Sequence, residues 1–198
     1  MNSETVIPLV LVRHAESTWN ERRLVQGQND GARLTDRGRR QAFEVAEELR
    51  SHDFDLIVTS DLRRASETAA VIASVLGLAV ESDRALRERS FGVAEGSSLD
   101  DLVAGAAGIS QGVVTDDDVS PEGGETLRAF RERAGAFFEH RERRWPSQRL
   151  LIVTHGGTMR ALQSWNDGTP FLGSTWERVD NCAVLTLTPP ASELSVPG

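Results

Sequence analysis

The chain has a single cysteine, Cys182, and therefore cannot form an internal disulfide bond. This residue lies in an apolar run, where a small buried side chain is a more common finding than a reactive thiol. The sequence also contains no apolar run long enough to span a membrane, and the first one, residues 6–12, follows neither a basic region nor a cleavage site of small residues. These features predict a cytoplasmic protein that is not anchored in a membrane.

The chain has fewer basic than acidic side chains. The 22 basic and 30 acidic groups give a net charge of −8, which repels nucleic acid and anionic lipid at long range. Metal-binding signatures are also missing, because the four histidines and one cysteine show no ligand spacing such as His-x-x-x-His. We therefore expect no nucleic-acid partner, no membrane partner, and no metal or other cofactor.

The 198 residues, of which 39% are hydrophobic, are enough for one domain with a single core. Short β-rich apolar runs alternate with longer segments of helical periodicity, a pattern typical of α/β proteins. The strand candidates are residues 7–12, 55–59, 150–154 and 183–187. Most are continuous apolar runs, as in strands that are buried on both faces. The predicted fold is a three-layer α/β/α sandwich around a mostly parallel central sheet of about six strands.

Three apolar stripes at helical spacing lie between these strands. The first follows Thr35, a candidate N-cap, and ends near Arg50. The second ends at Gly77 and the third ends before Pro146. Residues 92–124 follow no clear period and contain frequent Gly and Ser. Within a single domain spanning residues 1–198, we expect this segment to be a lid or insertion that covers the functional site.

Groups suited to anion binding follow three of the predicted strands directly. Arg13 and His14 follow the first strand, Ser60 and then the Arg63-Arg64 pair follow the second, and His155 follows the strand at residues 150–154. In an open parallel sheet, ligands bind beyond the carboxyl ends of the strands, so these groups meet at one edge. Two histidines and two arginines at one edge indicate a phosphate site.

Each of these residue types has a physical role in such a site. The planar fork of an arginine donates two parallel hydrogen bonds to phosphate oxygens, and its charge helps to keep a nearby imidazole neutral. A neutral imidazole can act as a nucleophile. Gly156 and Gly157 precede the helix that we expect to begin at Thr158, so their backbone N–H groups are available to an anion.

The sequence around these groups resembles the histidine phosphatase superfamily, in the branch that contains the cofactor-dependent phosphoglycerate mutases and related phosphatases. The resemblance covers residues 10–185. The matching segments are Leu11 to Asn20, Gln26-Gly27, Leu34-Thr35 with Gly38, Ser60 to Ala65 with Thr68-Ala69, Leu86 to Glu88 with Gly92 and Glu95-Gly96, Gly123 to Thr126, and Thr154 to Gly157. Each segment is weak by itself, but their order and spacing together are specific.

The resemblance implies a role for each matching residue. His14 would attack phosphorus and become phosphohistidine, and Glu88 would be the general acid. The groups that would hold the phosphoryl oxygens are Arg13, Arg64, His155 and Asn20. The further substrate-binding residues would be Gln26, Gly27 and Gly156. Independently of any family, a transferring phosphoryl group is stabilised by fixed cationic and N–H donors, and a poor leaving group requires a proton.

Two positions carry alternatives. Glu88 lies among Arg84, Arg87 and Arg89, so it could instead form a surface ion pair. Ala15 stands where members of the family commonly have glycine after the catalytic histidine, which matters if that position needs a positive φ. We expect that a small side chain fits there.

The expected function is hydrolysis of a phosphate monoester, with a small phosphorylated metabolite as substrate. A cofactor-dependent phosphoglycerate mutase is the first alternative, but we find no segment of the Arg-Arg-Ser-Tyr-Asp type after Gly96, and a short lid would exclude water poorly. A non-catalytic phospholigand-binding module is the second. The pattern does not identify the substrate, and it leaves the oligomeric state open, a homodimer included.

Overall fold

The computed structural model describes residues 7–101, 120–169 and 179–188. Within these ranges the chain forms one central sheet of five strands, in the order β3-β2-β4-β1-β5. The strands are β1 (Leu9–Arg13), β2 (Leu56–Thr59), β3 (Val80–Ser82), β4 (Leu150–Thr154) and β5 (Val184–Leu187). The first four strands are parallel, and β5 pairs antiparallel with β1. The prediction of a mostly parallel sheet is confirmed.

The register of the parallel strands brings three strand ends together. Arg13 at the end of β1 is opposite Thr154 at the end of β4, and Thr59 at the end of β2 is opposite Val153. Because the strands end level with one another, the residues that follow them emerge at the same edge of the sheet. This edge is where the sequence places the anion-binding groups.

Helices cover both faces of the sheet, and successive strand residues point to alternate faces. The helices are α1 (Thr18–Glu21), α2 (Asp36–Glu48), α3 (Arg63–Leu76), α4 (Leu127–Arg144) and α5 (Gly156–Asn166). On one face, α2 and α3 pack against Val12 and Ile57; on the other, α4 and α5 pack against Leu11 and Val58. The predicted three-layer α/β/α sandwich is therefore confirmed. None of the helices in the described ranges has the length and apolar character needed to cross a bilayer.

Most of the sequence-predicted element boundaries agree with the structure. The Thr35 hydroxyl accepts a hydrogen bond from the backbone N–H of Gly38 at 2.9 Å and so caps α2, as expected. Gly77 ends α3 in the left-handed region, with φ of 70°. The prediction missed β3, because its three residues are all exposed and form no apolar run. The described residues thus form five strands, against about six expected.

Cys182 is half-buried and packs against apolar residues of α2 and α3. This is consistent with the packing role expected from the sequence. Burial raises the pKa of its thiol to about 12, so the thiolate is scarce at neutral pH and the side chain is unreactive.

The expected lid at residues 92–124 lies partly outside the described residues, which stop at 101 and resume at 120. Its first part pairs with residues 23–25. The N–H of Val25 donates to the carbonyl of Ser97 at 3.0 Å, and the N–H of Gly96 donates to the carbonyl of Val25 at 2.8 Å. Its last part meets the first, since Val93 donates to the carbonyl of Glu122 at 3.0 Å. That this segment covers the site stays a prediction.

Candidate active site

His14 follows β1 directly and is almost completely buried. Its Nδ1 atom lies 2.8 Å from the carbonyl oxygen of Ala15, which can only accept a hydrogen bond. Nδ1 therefore carries the proton, and the lone pair is on Nε2. Burial, and then the charges of Arg64 and Arg13, lower the pKa of His14 well below 6.5. The imidazole is thus neutral at physiological pH, with Nε2 available as a nucleophile.

Ala15 fits its position without backbone strain. The non-glycine residues with positive φ among the described ones are Arg23, Ser147 and Cys182. The Ala15 side chain is fully buried, and its N–H donates to the hydroxyl of Thr68 at 3.1 Å. The expectation that a small side chain replaces glycine here is confirmed.

Arg64 lies in the first turn of α3 with its guanidinium fully buried. Nη2 donates to the carbonyl of Gly27 at 2.7 Å, and Nη1 donates to that of Asn29 at 3.2 Å. Its Nε has no hydrogen-bond partner among the described residues. Burial lowers the pKa of Arg64 to about 10, so the group is still a cation at neutral pH. A buried cation with an unused donor is suited to an anionic ligand.

His155 follows β4 and lies beside His14, with their ring centroids 5.2 Å apart. It is fully buried, and Nε2 lies 2.9 Å from the hydroxyl of Ser60. Its Nδ1 is also buried, without a hydrogen-bond partner in the described part of the chain. Burial, followed by the charge of Arg64, lowers the pKa of His155 well below 6.5. The site therefore contains two neutral imidazoles next to a buried cation.

Arg13 contributes the second positive charge. It ends β1, and its Nη1 donates to the carbonyl of Val179. Its charge lowers the pKa values of both His14 and His155. A methyl group built on Gly156 would lie 3.6 Å from its Nε, so the start of α5 is in van der Waals range of this side chain. Arg13 and Gly156 are therefore neighbours at the same edge of the sheet, as the sequence predicted.

The side chain of Glu88 is half-buried and lies against the start of α5. Its Oε2 accepts the backbone N–H of Gly157 at 2.9 Å, and its Oε1 accepts the N–H of Arg89 at 2.9 Å. Any side chain on Gly157 would overlap the Glu88 carboxylate. Because His155 immediately precedes α5, this contact places Glu88 at the same end of that helix as His155.

The alternative for Glu88 was a surface ion pair with a neighbouring arginine. These arginines bind other groups. Arg87 makes two hydrogen bonds of 2.6 Å to the carboxylate of Asp61, and Arg84 lies 3.9 Å from the same group. The Nε of Arg89 donates to the carbonyl of Glu125 at 2.9 Å. The Glu88 carboxylate accepts the backbone N–H groups of Gly157, at the start of α5, and of Arg89, and it attracts the cations of Arg64 and Arg89 electrostatically.

The remaining predicted substrate-binding residues lie around Ser17. The Asn20 side-chain oxygen accepts the N–H of Ser17 at 3.1 Å in a capping box for α1, and Gln26 accepts the Ser17 hydroxyl at 2.9 Å. Asn181 links Asn20 to His14, because its Nδ2 donates to the carbonyl of His14 at 2.9 Å and to the side-chain oxygen of Asn20 at 3.3 Å. Gly27 contacts Arg64 directly. The oxygens of Asn20 and Gln26 are therefore engaged, which leaves their amide N–H groups as donors.

Several residues of this arrangement were not assigned a role from the sequence. Thr68 and Asn181 hold Ala15 and His14 respectively. The N–H of Gly157, which the sequence offered to an anionic ligand, instead donates to Glu88, and α5 begins at Gly156 and not at Thr158 as expected. Arg133 lies in an arginine-rich helix where no pattern distinguishes it. Trp165 packs against Gly135 and under the guanidinium of Arg131. It lies nine residues along α5 from the site, roughly 13 Å at the rise of a helix.

No group of three or more His, Cys, Asp or Glu side chains in the described ranges has the geometry to hold a metal ion. The groups that remain to bind phosphoryl oxygens are the guanidinium, imidazole, amide and backbone N–H donors named above.

The chain resembles known enzymes over most of its length. It is 35% identical over 181 residues to a probable phosphoglycerate mutase GpmB of Klebsiella pneumoniae, covering 90% of this chain and 83% of that protein. A mycobacterial glucosyl-3-phosphoglycerate phosphatase in complex with VO3 superposes with a TM-score of 0.79 at 30% identity, covering 92% of each chain. A putative alpha-ribazole-5'-P phosphatase of Escherichia coli gives a TM-score of 0.77 at 29% identity, covering 92% of this chain and 90% of that one.

The family model of the histidine phosphatase superfamily (branch 1) matches residues 9–196. This range includes all the residues of the site described above, from Arg13 to Gly157. The chain is a member of the histidine phosphatase superfamily, branch 1.

Proposed function

We propose that the protein is a phosphatase that hydrolyses small phosphate monoesters through a phosphohistidine on His14. One observation carries this proposal: beside the free lone pair of His14, two buried nitrogens, Nε of Arg64 and Nδ1 of His155, have no partner among the described residues. Leaving a buried donor unsatisfied costs about 1–3 kcal/mol, more for a charged group. A phosphoryl group supplies the missing acceptors, and it does so within reach of a nucleophile.

In the first step, the Nε2 lone pair of His14 forms a bond to phosphorus while the bond from phosphorus to the ester oxygen breaks. Arg13, Arg64 and His155 stabilise the charge on the three equatorial oxygens. The leaving oxygen takes a proton from the carboxyl group of Glu88 and departs as an alcohol. The products of this step are the alcohol, phosphohistidine and the Glu88 carboxylate.

In the second step, water attacks the phosphorus of phosphohistidine and gives up a proton to the Glu88 carboxylate. The phosphorus–nitrogen bond breaks, and inorganic phosphate is released. His14 recovers its neutral form because Nδ1 stays protonated throughout, donating its hydrogen bond to the carbonyl of Ala15. Dividing one displacement into two allows the same carboxyl group to serve as acid and then as base.

The relatives support a small phosphorylated metabolite as the substrate. Two of the solved structures are of phosphatases whose names specify glucosyl-3-phosphoglycerate and alpha-ribazole-5'-P. Because the Klebsiella protein is named a probable phosphoglycerate mutase, mutase activity is the second candidate function. The single cysteine is compatible with action in the cytoplasm, which stays a prediction.

The test is turnover of p-nitrophenyl phosphate by the wild-type protein and by His14→Ala. We expect the variant to lose at least about a thousandfold in kcat. His52→Ala is the matched control, because His52 is exposed and stacks only on Phe54 among the described rings. Acid-labile, alkali-stable labelling of the wild type by a 32P-labelled substrate would identify the phosphohistidine. Equal turnover by wild type and His14→Ala would overturn the proposal.

The mutase alternative has its own assay. The protein is mixed with 3-phosphoglycerate and 2,3-bisphosphoglycerate, and both 2-phosphoglycerate and inorganic phosphate are measured. We expect phosphate release to dominate. Formation of 2-phosphoglycerate faster than phosphate would reverse the ranking of the two functions.

A further inference from the structure

Arg133 of α4 binds the backbone of the segment that carries Glu88. Its Nη1 donates to the carbonyls of Ala85 at 3.0 Å and Arg87 at 2.9 Å, and its Nη2 donates to the carbonyl of Glu88 at 3.0 Å. The guanidinium also lies over the ring of Phe130, 5.3 Å from its centroid. Nη1 also lies 3.4 Å from the carbonyl of Arg84, so one half-buried cation binds four carbonyls in a stretch of five residues. We call residues 84–90 the acid segment.

Glu125 completes this attachment from the other side. Its carboxylate accepts Nε of Arg133 at 2.7 Å and Nη2 at 2.8 Å, a two-point pair, and it also accepts the N–H of Ser90 at 2.9 Å. Although burial opposes the shift, the hydrogen bonds from Arg133 and Ser90 hold the pKa of Glu125 below its usual value. The carboxylate is therefore ionised at neutral pH. The acid segment is bound by Arg133 at its carbonyls and by Glu125 at the N–H two residues beyond Glu88.

The Glu88 side chain is held separately by α5, through the N–H of Gly157. Helix α4 thus fixes the backbone of the acid segment while α5 receives the carboxylate. The two helices pack against each other in the same core. The distance from the Glu88 carboxyl to a leaving oxygen at His14 therefore depends on how firmly Arg133 holds the segment.

We propose that Arg133, paired with Glu125, is a positioning residue that sets the distance between the Glu88 carboxyl group and the leaving oxygen. This inference rests on the proposed function, in which Glu88 is the acid. Proton transfer needs a heavy-atom distance of about 2.6–3.2 Å. Misplacement by about 1 Å can cost a hundredfold in rate. Arg133 acts through Glu88 and does not itself touch the substrate.

Leaving-group dependence separates this role from a general structural one. p-Nitrophenolate is a good leaving group and departs without a proton, whereas the alkoxide of glycerol 2-phosphate needs one. We expect Arg133→Met to lower kcat/KM for glycerol 2-phosphate by about 10- to 100-fold and to change kcat/KM for p-nitrophenyl phosphate by less than about threefold. The comparison uses kcat/KM because it reports the first step, whereas kcat also includes the hydrolysis of phosphohistidine, in which Glu88 is the base for every substrate. Burial and Arg64 dominate the lowered pKa of His155, so that imidazole stays neutral in the variant.

Further variants test the assignment. Glu125→Gln removes one partner of the pair and should show the same selective loss, which keeps the proposal testable if Arg133→Met folds poorly. Arg133→Lys keeps the positive charge but lacks the planar set of N–H donors of a guanidinium. It should be more active on glycerol 2-phosphate than Arg133→Met. Glu88→Gln with Arg133→Met should be no slower on glycerol 2-phosphate than Glu88→Gln alone, because both changes act on one step.

Arg131→Met is the matched control. Arg131 lies on the same helix and is also half-buried over an aromatic ring, 5.2 Å from the centroid of Trp165, but its side-chain hydrogen bonds go to Ser164 and Thr169. We expect it to show no leaving-group dependence. Equal losses on both substrates in Arg133→Met, or the same pattern in Arg131→Met, would overturn the inference.

The inference and the proposed function fail in different ways. If Glu88→Gln loses activity selectively on glycerol 2-phosphate and Arg133→Met does not, the inference alone is wrong. If Glu88→Gln shows no selectivity while His14→Ala is inactive, the acid assignment and this inference are both wrong, and the phosphohistidine step stands.

Discussion

The two sides of the site are built differently. The phosphoryl side consists of His14, Arg64 and His155, each 3% exposed or less, placed by two strand ends and a helix start. The acid side consists of the half-buried Glu88 on the acid segment, a stretch with a single short 3₁₀ turn, Arg84–Leu86. The register of the sheet fixes the position of the phosphoryl side. The position of the acid side is fixed by side chains from α4 and by a backbone N–H group of α5. Changes to the phosphoryl side should abolish turnover, and changes to the acid side should alter which leaving groups are accepted.

The largest effect should come from Arg64→Met. Loss of the buried cation should lower kcat/KM on every phosphate monoester by about a thousandfold, irrespective of the leaving group. Stability should fall by about 1–3 kcal/mol, because the carbonyls of Gly27 and Asn29 lose their donor. The measurements are turnover of an aryl and an alkyl phosphate, together with thermal unfolding.

Arg63→Met is the control for this change. The adjacent Arg63 has 42% of its side chain exposed and pairs with Glu67 at 2.9 Å, so its removal should leave kcat/KM within about threefold and stability within about 1 kcal/mol. A comparable loss of activity in both variants would remove the distinction between buried and exposed cations.

Gly157→Ala should have an intermediate effect, confined to the acid side. The added methyl group overlaps the Glu88 carboxylate and displaces it. We expect kcat/KM for alkyl phosphates to fall by about 10- to 100-fold and kcat/KM for p-nitrophenyl phosphate to change little.

Gly135→Ala provides the comparison, since its methyl group would overlap Trp165, away from the site. That variant should lose about 1–3 kcal/mol of stability from overpacking, with no leaving-group dependence. A selective loss in Gly135→Ala, or none in Gly157→Ala, would contradict the separation of the two sides.

The smallest effect concerns the pH dependence of stability, which arises on the phosphoryl side. Burial lowers the pKa values of His14 and His155 well below 6.5. Below pH 6.5 the unfolded chain therefore binds protons that the folded chain does not, and the free energy of unfolding falls as the pH falls. Each such proton contributes about 1.4 kcal/mol per pH unit.

Denaturant unfolding between about pH 7 and 5.5 would measure this slope in the wild type and in His14→Asn. Of the two histidines, the variant keeps only His155, so its slope should be shallower by up to about 1.4 kcal/mol per pH unit. Identical slopes would show that His14 takes up a proton in the folded protein as readily as in the unfolded chain.

The sequence predicted the phosphoryl side better than the acid side, for a physical reason. The apolar runs before His14 and His155 are recognisable as buried parallel strands, and the ends of such strands meet at one edge whatever the rest of the chain does. The position of Glu88 depends on contacts with residues distant in sequence, among them Gly157 and Arg133. No local pattern reports such contacts, which is why a surface ion pair remained an alternative.

The same reasoning explains the errors in the fold. Long apolar stripes and a capping Thr35 specified the helices well. The strand Val80–Ser82 is short, exposed and paired only with β2 within the described residues, so its formation depends on a neighbouring strand and not on its own residues. Edge strands of this kind carry little periodic signal.

The sheet order has a consequence for how the protein is made. The first strand pairs with β4 and β5, both of which belong to the last quarter of the chain. During synthesis, an apolar strand and the nucleophile after it leave the ribosome long before either neighbour exists, and such unpaired edges invite aggregation or chaperone binding. We therefore expect prematurely terminated products to be insoluble as well as inactive, and the yield of folded enzyme to depend on completion of the last strands.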